Sequence, residues 1–330
     1  SVEHASMALV SCRARTARPV SGSTRLTVLR SGDRHVSVYI ESLLQSHVVV
    51  EIAQLSSEGM ARQNTLANHP ARRLLWRLSL PAMVGMVTMS LYNVIDAIFI
   101  GRGVGSLAIA GVTIAFPVIM LMTALGMMVG IGAASLVSRR LGVGDVERAE
   151  LTLGNAAGLS FGFGLLIMVV GVLNSEALLT LFGASPSVVP YAREYMDIIL
   201  LGAAFALYPM AINNVARAEG NARVAMQTMV VGALLNIVLD AIFIFGLQMG
   251  VRGAALATVI AHVVTCAYIT RYFLSGRSTA RLQLRHLKLD ATVVREVLSV
   301  GLPSFVRMGA ASIIILIINR TLAIYGGDIS

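Results

Sequence analysis

The stretch LYNVIDAIFIG at residues 91–101 decides the fold class of this chain, and NIVLDAIFIFG at residues 236–246 nearly repeats it. In each stretch an aspartate, Asp96 or Asp240, stands inside an aliphatic run and is followed by Ala-Ile-Phe-Ile. An Asp at the centre of a bilayer costs roughly 2.5–3.5 kcal/mol on insertion scales. Two such residues in apolar runs indicate membrane helices that handle an ion or a proton.

The composition supports a membrane location. Hydrophobic residues make up 56% of the chain and charged residues 13%, whereas a soluble domain carries about 25% charged residues. The net charge of +9 comes from arginines that cluster between the apolar runs. Without a basic face interleaved with aromatics, this charge indicates membrane topology and not a nucleic-acid partner. We therefore expect the protein to have the lipid bilayer as a partner.

Seven apolar runs are long enough to cross a bilayer, which needs about 20 residues. The chain is therefore predicted to be an all-α integral membrane protein. Basic residues concentrate in the N-terminal flank and in every second break, which places the N-terminus in the cytoplasm of a multi-pass protein of the cell (plasma) membrane. The predicted spans are Leu78–Ile100, Leu107–Leu136, Leu151–Leu173, Tyr195–Val215, Val224–Leu247, Gly253–Phe273 and Val297–Ala323.

An internal repeat predicts a second lobe. SLPAMVGMVTMSLYNVI (79–95) aligns without gaps to GLPSFVRMGAASIIILI (301–317), and Pro81 aligns with Pro303. The two copies lie in the first and the seventh predicted helix, an offset of six helices. Because six is an even number, the repeat is parallel and predicts a two-lobe (6+6) transporter. The seventh helix then opens a C-terminal lobe whose remainder is missing here and is an expected partner in the full-length protein.

Four segments follow from this organisation. Residues 1–70 are predicted to be a disordered or non-native extension, and natural translation is predicted to start at Met60. The six-helix lobe follows at 71–275, a cytoplasmic linker between the lobes at 276–296, and the first helix of the second lobe at 297–330.

The residues around the two aspartates predict a cation site. Asn236 and Asp240 lie four positions apart and so share one helix face, and Thr258 in the next run offers a hydroxyl. Hard cations such as Na⁺ prefer oxygen ligands of these kinds. A pair of buried carboxyls also holds a proton, since like charges oppose ionisation. The alternative is that each Asp is a hydrogen-bonded anchor for helix packing.

Weaker candidates for the lining of a cavity are polar residues in the same runs. They are Tyr92, Asn93, Asn213, Asn214 and His262. Capping or packing roles remain open for the asparagines, and a hydrogen-bonded packing role remains open for His262.

Enzyme chemistry is not predicted. The sequence has no HExxH, no Asp-rich metal motif, no nucleophile with a partner histidine, and no Gly-Lys-Ser/Thr that would hold a nucleotide phosphate. We expect no cofactor apart from the coupling ion, and no bound metal beyond Na⁺. A seven-helix receptor is disfavoured by the internal repeat and by the inward N-terminus.

Six segments resemble the MATE (multidrug and toxic compound extrusion) transporters. Of these, the stretch Asn236–Ile260 and the RAEGN loop are the most specific. The segments are SLPAMVGM (79–86), VIDAIFIGRGVGSLAIAG (94–111), LVSRRLGVGDVERAE (136–150), NNVARAEGNAR (213–223), NIVLDAIFIFGLQMGVRGAALATVIA (236–261) and GLPSFVRM (301–308).

The resemblance implies a secondary antiporter that exports small organic, often cationic, compounds in exchange for Na⁺ or H⁺. It implies a cation site in the first lobe built from Asp96, Asn236, Asp240 and Thr258. It also implies a helix bend at Pro81, although a helix-start role for this proline is equally open. The alternatives are a flippase for lipid-linked precursors, disfavoured because the spans are nearly free of arginine, and a fragment that does not transport.

Overall fold

The computed structural model describes residues 71–325 of the chain. The predicted N-terminal extension, residues 1–70, and the predicted translation start at Met60 within it lie outside the described residues, as do the last five residues.

Nine α-helices make up most of the described part of the chain. A π-helical turn, Ala241–Gly246, continues α7, and a short 3₁₀ turn, Leu284–Leu287, interrupts the connection between α8 and α9. The helices are α1 (Ala71–Gly103), α2 (Ser106–Gly142), α3 (Val146–Leu173), α4 (Ser175–Leu181), α5 (Val189–Leu201), α6 (Ala203–Ala218), α7 (Ala222–Asp240), α8 (Val251–Leu274) and α9 (Ala291–Tyr325).

Five of these helices, counted within the described residues, are long and apolar enough to cross a membrane: α1, α2, α3, α7 with its π-helical turn, and α8. The pair formed by α5 and α6 provides a sixth span if the two are taken together. The seventh predicted span, 297–323, lies within α9. The result is an all-helical membrane protein.

The fourth span, predicted as one helix over Tyr195–Val215, consists of two helices. It is broken at Gly202 into α5 and α6, which meet at 57°. Gly202 packs so closely on α8 that a Cβ there would lie 2.5 Å from Val259 Cγ2. The break therefore follows from tertiary packing, which the hydropathy of the run does not encode.

Helix α9 packs tightly on α2 through glycine on both sides. Gly132 of α2 has no room for a Cβ against the carbonyl of Val297, and Gly301 of α9 has none against the carbonyl of Met128. Such reciprocal small-residue contacts bring backbones close together and replace the hydrophobic drive that is missing between helices in lipid.

The turns carry ordinary cap chemistry. Asp145 begins α3 by accepting a hydrogen bond from Arg148 N at 3.1 Å, and Asp290 begins α9 by accepting from Thr292 N at 2.8 Å. These are N-cap interactions, which satisfy amides that have no partner in the first turn of a helix. In the RAEGN loop between α6 and α7, Gly220 has φ 84, the left-handed conformation that ends many helices.

Helix α1 lies at the edge of the bundle. It packs on α7, where Gly85 contacts Met229, while Met83, Val87 and Leu91 on its other side are more than half exposed. In a chain of this hydropathy an apolar outer face is the face that meets lipid.

Candidate functional site

The two aspartates of the apolar runs meet inside the bundle. Asp240, on the last turn of α7, is fully buried, and the Asp96 carboxyl, from α1, lies within hydrogen-bonding range of it. One oxygen of each, Oδ1, is buried without a hydrogen-bond partner among the described residues. A pair of carboxyls in this position repel each other when both are ionised, and either a proton or a small cation relieves the repulsion.

Asn236 and Thr258 complete the cluster. With its amide nitrogen towards Asp240, Asn236 donates to Asp240 Oδ2 at 2.7 Å and accepts from Thr258 Oγ1 at 3.1 Å. With the amide reversed, Asn236 Nδ2 donates to Thr258 Oγ1, which donates in turn to Ala254 O at 3.0 Å. Sequence reasoning grouped Asp96, Asn236, Asp240 and Thr258, and the fold brings these four together from α1, α7 and α8.

The surroundings of the Asn236 amide fix its orientation. The reversed orientation sets the oxygens of Asn236 and Asp240 2.7 Å apart and turns the Asn236 nitrogen towards the backbone N–H of Thr258. With its nitrogen towards Asp240, Asn236 donates to Asp240 Oδ2 and accepts from Thr258 N at 3.1 Å. Asn236 thus satisfies one oxygen of Asp240, while Asp240 Oδ1 has no donor among the described residues.

Two tyrosines border the carboxyl pair. The hydroxyl of Tyr92, one turn before Asp96 on α1, is hydrogen-bonded to Thr258. Tyr195, from α5, is buried nearby and interacts electrostatically with the carboxyls. Sequence reasoning missed Tyr195, because no local sequence pattern links it to Asp96 or Asp240. Only the packing of α5 against the other helices brings them together.

The π-helical turn begins directly after Asp240 and packs against the end of α1. Its Phe245 makes an edge-to-face contact with Phe99 at 5.4 Å between ring centroids, and its Ile244 fills the space at Gly103, where a Cβ would not fit. Single π turns inside α-helices are frequent at functional sites. Here the turn fixes α7 against the helix that carries Asp96.

A cavity of about 190 Å³ extends from the cluster along the inside of the bundle. Its walls carry Met89, Met127, Met210 and Met229, and one end is formed by Tyr92, Asn236 and Thr258. The cavity also contains Asn213, Asn214, His262, Thr228 and Arg217.

Four of the predicted site residues do not line this cavity. Two of them are Asp96 and Asp240, which form the adjoining carboxyl pair, and the other two are Asn93 and Pro81. Asn93 is exposed, donates to Met89 O at 3.0 Å, and borders a separate shallow depression on the outside of α1. Pro81 lies inside α1, away from the helix start, so the helix-start alternative is wrong, and its part in a bend stays a prediction.

Arg217 is one of the basic residues between the apolar runs, which the sequence analysis used only to predict membrane topology. Its place in the cavity was therefore missed. The spacing contains a signal for it, since Asn213, Asn214 and Arg217 at i, i+1 and i+4 share one side of a helix.

At the far end of the bundle, two more carboxyls hold the segment 276–290, which we call the linker segment. Glu150 accepts from Arg281 N at 3.0 Å and from the side chain of Gln283. Glu219, in the RAEGN loop, accepts from Ser278 Oγ at 2.6 Å and Ala280 N at 3.2 Å. Burial raises the pKa of Glu219 to about 7, although these hydrogen bonds oppose the rise.

Asn155 adds a third attachment for the linker segment. Its Oδ1 accepts from Asp290 N at 2.7 Å and its Nδ2 donates to His286 O at 3.4 Å. None of the three attachments was predicted, since they join residues far apart in the sequence.

The fold and the site together define a multi-pass helical membrane protein with a buried acidic pair beside a methionine-lined cavity. The MatE family model matches residues 81–242 of the chain. This match, which covers about half of the chain, is to the MATE family of transporters.

Curated relatives agree with this match. The chain is 27% identical over 257 residues to the multidrug export protein MepA of Staphylococcus aureus (strain MRSA252), covering 78% of this chain and 57% of that protein. It is 28% identical over 254 residues to MepA of Staphylococcus haemolyticus, covering 77% and 56%. The chain thus spans little more than half the length of these relatives.

Solved structures show the same likeness. The MATE multidrug transporter DinF-BH, whose structure was determined in complex with a small organic ligand, superposes on this chain with a TM-score of 0.73. The two are 45% identical, and the match covers 79% of this chain and 59% of DinF-BH. A MOP superfamily transporter from Pyrococcus furiosus gives 0.72 at 34% identity over 79% and 57%.

Proposed function

We propose that this chain is the ion-binding lobe of a secondary antiporter that exports organic, often cationic, compounds in exchange for Na⁺ or H⁺. Asp96, Asn236, Asp240 and Thr258 form the cation site in this lobe. The protein resides in the cell membrane with its N-terminus and linker segment on the cytoplasmic side, as the distribution of arginine predicts.

The contact between Asp96 and Asp240 carries this proposal. Each carboxyl has an oxygen without a donor among the described residues, which leaves acceptors for an ion or a proton. Carboxylate, amide and hydroxyl oxygens are ligands suited to a hard cation.

The proposed cycle uses alternating access. A cation from outside binds the carboxyl pair, α1 and α7 rearrange around it, and the organic compound leaves the adjoining cavity. Because the cavity and the cation cluster share Tyr92, Asn236 and Thr258, binding at one weakens binding at the other. Linkage makes this effect reciprocal.

Asp240→Asn tests the proposal. The variant keeps the shape of the side chain but cannot hold a cation by charge or release a proton. We expect the purified chain in nanodiscs to lose binding of radioactive Na⁺, or to lose the infrared band of a protonated carboxyl in a pH titration, and we expect any ion-driven efflux to be abolished.

Asp197→Asn is the matched control. Asp197 lies on α5, pairs with Arg193 at 3.8 Å, and has a side chain that is 39% exposed. The control variant retains the response to ions. Equal ion responses of wild type and Asp240→Asn contradict the proposal.

A further inference from the structure

A groove of about 580 Å³ runs along the outside of the bundle, where α6 and α8 meet. Its apolar wall includes Phe205 of α6 and Val263, Ala267 and Leu274 of α8, and these three residues of α8 are exposed. The methionine-lined cavity takes His262 from a different face of α8. The groove is therefore separate from that cavity, and an exposed apolar groove on a membrane bundle meets lipid.

The length of the groove is close to the thickness of one lipid leaflet. Val263 and Ser275, the first and last residues that line it along α8 and its C-cap, are twelve positions apart, a distance of roughly 18 Å. The hydrocarbon core of a bilayer is about 30 Å thick, which gives each leaflet about 15 Å. One acyl chain can therefore lie along the groove from end to end.

Arg271 lines the groove in the last turn of α8 and is exposed. A basic residue at this position interacts favourably with the helix dipole and is typical of one border of a membrane span. These two effects explain a positive charge at the end of α8. They do not explain a second arginine that folds back to the same place from outside the helix.

That second arginine is Arg281 of the linker segment. Directly after α8, Gly276 has φ 72, which turns the chain back, and Leu282 N donates to Phe273 O at 3.3 Å. Glu150 accepts from Arg281 N at 3.0 Å and so holds its backbone in place. The Arg281 guanidinium lies over Gly276, where a Cβ would be 3.6 Å from Nη2.

The two arginines are the donors available to an anion at this end of the groove. Neither belongs to an ion pair among the residues that the structure describes, and a guanidinium has five N–H donors and no acceptor. The neighbouring hydroxyls already donate to backbone carbonyls, Thr270 Oγ1 to Cys266 O at 2.7 Å and Ser275 Oγ to Tyr272 O at 2.8 Å.

We infer that this groove binds an anionic phospholipid, with the phosphate at Arg271 and Arg281 and one acyl chain along Phe205, Val263 and Ala267. Arginine forms parallel hydrogen bonds to phosphate oxygens, and basic pockets between membrane helices bind lipid head groups. A free phosphate would leave the apolar wall unused, whereas a phospholipid matches both parts of the groove. The site does not depend on the proposed ion exchange.

Native mass spectrometry of the full chain with added lipid tests the inference. We expect the first dioleoylphosphatidylglycerol to bind with a dissociation constant roughly tenfold lower than that of the first dioleoylphosphatidylcholine. The two lipids have the same acyl chains, and only the first offers a net negative charge to the two arginines. Equal binding of both lipids by the wild type overturns the inference.

Two double variants separate the groove from general positive charge. Arg271→Gln combined with Arg281→Gln should bind phosphatidylglycerol no more tightly than phosphatidylcholine. Arg223→Gln combined with Arg295→Gln removes the same charge from two exposed arginines that do not line the groove, and it should keep the tenfold preference. An unchanged preference in the first double variant, or an equal loss in both, overturns the inference.

A further pair of variants tests the acyl chain. Ala267→Phe fills part of the groove and should weaken binding of both lipids roughly fourfold, the effect of displacing about one methylene group. Ala310→Phe, at an exposed position of α9 outside the groove, should leave both affinities unchanged, and circular dichroism checks the helix content of each variant. Wild-type lipid affinity in Ala267→Phe contradicts an acyl chain in the groove.

Discussion

The bundle buries carboxyls in two places, and the two places treat them in opposite ways. At the linker segment, Glu150 and Glu219 receive hydrogen bonds from backbone amides and side chains of residues 278–283. Between α1 and α7, Asp96 and Asp240 each keep an oxygen without a donor in the described part of the chain. A buried carboxyl must be compensated. The first pair is compensated by fixed parts of the protein, whereas we propose that the second pair is compensated by a mobile cation.

The largest effect on stability is expected for Glu150→Ala. The change leaves the amide of Arg281 and the side chain of Gln283 without their acceptor, and unsatisfied buried donors destabilise by about 1–3 kcal/mol. Thermal unfolding in nanodiscs should show a clear fall in Tm. Glu147→Ala, an exposed change on the same helix, is the control, and an equal fall in both variants contradicts a structural role for Glu150.

A pH-dependent effect is expected at Glu219. Its pKa is raised from 4.5 to about 7 by burial, so between these values the folded protein holds a proton that the unfolded chain has released. The free energy of unfolding must therefore fall as the pH rises through this window, and the loss is complete above pH 7.

Glu219→Gln should flatten this pH dependence, since glutamine mimics the protonated carboxyl. Unfolding followed from pH 5 to pH 8 measures the slope. Glu176→Gln, an exposed change, should leave the slope as in the wild type. A wild-type slope that survives in Glu219→Gln shows that another group is responsible.

A smaller effect of opposite sign is expected for Asp240→Asn. Replacing one of two facing carboxyls removes their repulsion, so the variant should be more stable than the wild type by roughly 1 kcal/mol at alkaline pH without Na⁺. Saturating Na⁺ or protons should erase the difference, because either compensates the wild-type pair. If Asp240→Asn is less stable than the wild type under all conditions, these carboxyls stabilise the fold as Glu150 does, and they do not repel each other.

The smallest effect is expected for Glu296→Gln. Glu296 pairs with Arg140 at 2.7 Å, and the Glu296 side chain is 46% exposed, whereas that of Arg140 is 16% exposed. Arg140 also donates to Arg148 O at 3.0 Å, so it keeps an acceptor when Glu296 is replaced. Exposed ion pairs contribute about 0.2–1 kcal/mol and weaken with salt. Denaturation at low and high ionic strength should show a small loss that disappears at high salt, and a large loss at both would give this pair a structural weight equal to that of Glu150.

Much of the fold follows from the sequence alone, because hydropathy and run length specify membrane helices without tertiary information. The site follows in part for a similar reason. The i, i+4 spacing of Asn236 and Asp240 sets a shared face whatever the surroundings, and an aspartate in an apolar run is informative by itself.

The remaining features depend on contacts between distant parts of the chain. The bend at Gly202 results from packing on Val259, and the anchoring of the linker segment joins Glu150 to Arg281 and Asn155 to Asp290. No local pattern records these pairs. Arg217 lies between these two cases. Its i, i+4 spacing from Asn213 puts it on the same side of α6 as the asparagines, but only the packing of α6, α7 and α8 shows that a cavity lies there.

The anchored linker segment has an entropic consequence for the contact between α2 and α9. A flexible connection must lose conformational freedom when its ends are brought together, and residues 276–290 lose that freedom when they bind Glu219, Glu150 and Asn155. The anchored linker segment therefore keeps α9 close to α2, which raises the effective concentration of α9 at the surface of α2. The glycine contacts at Gly132 and Gly301 then need to supply only the final docking energy.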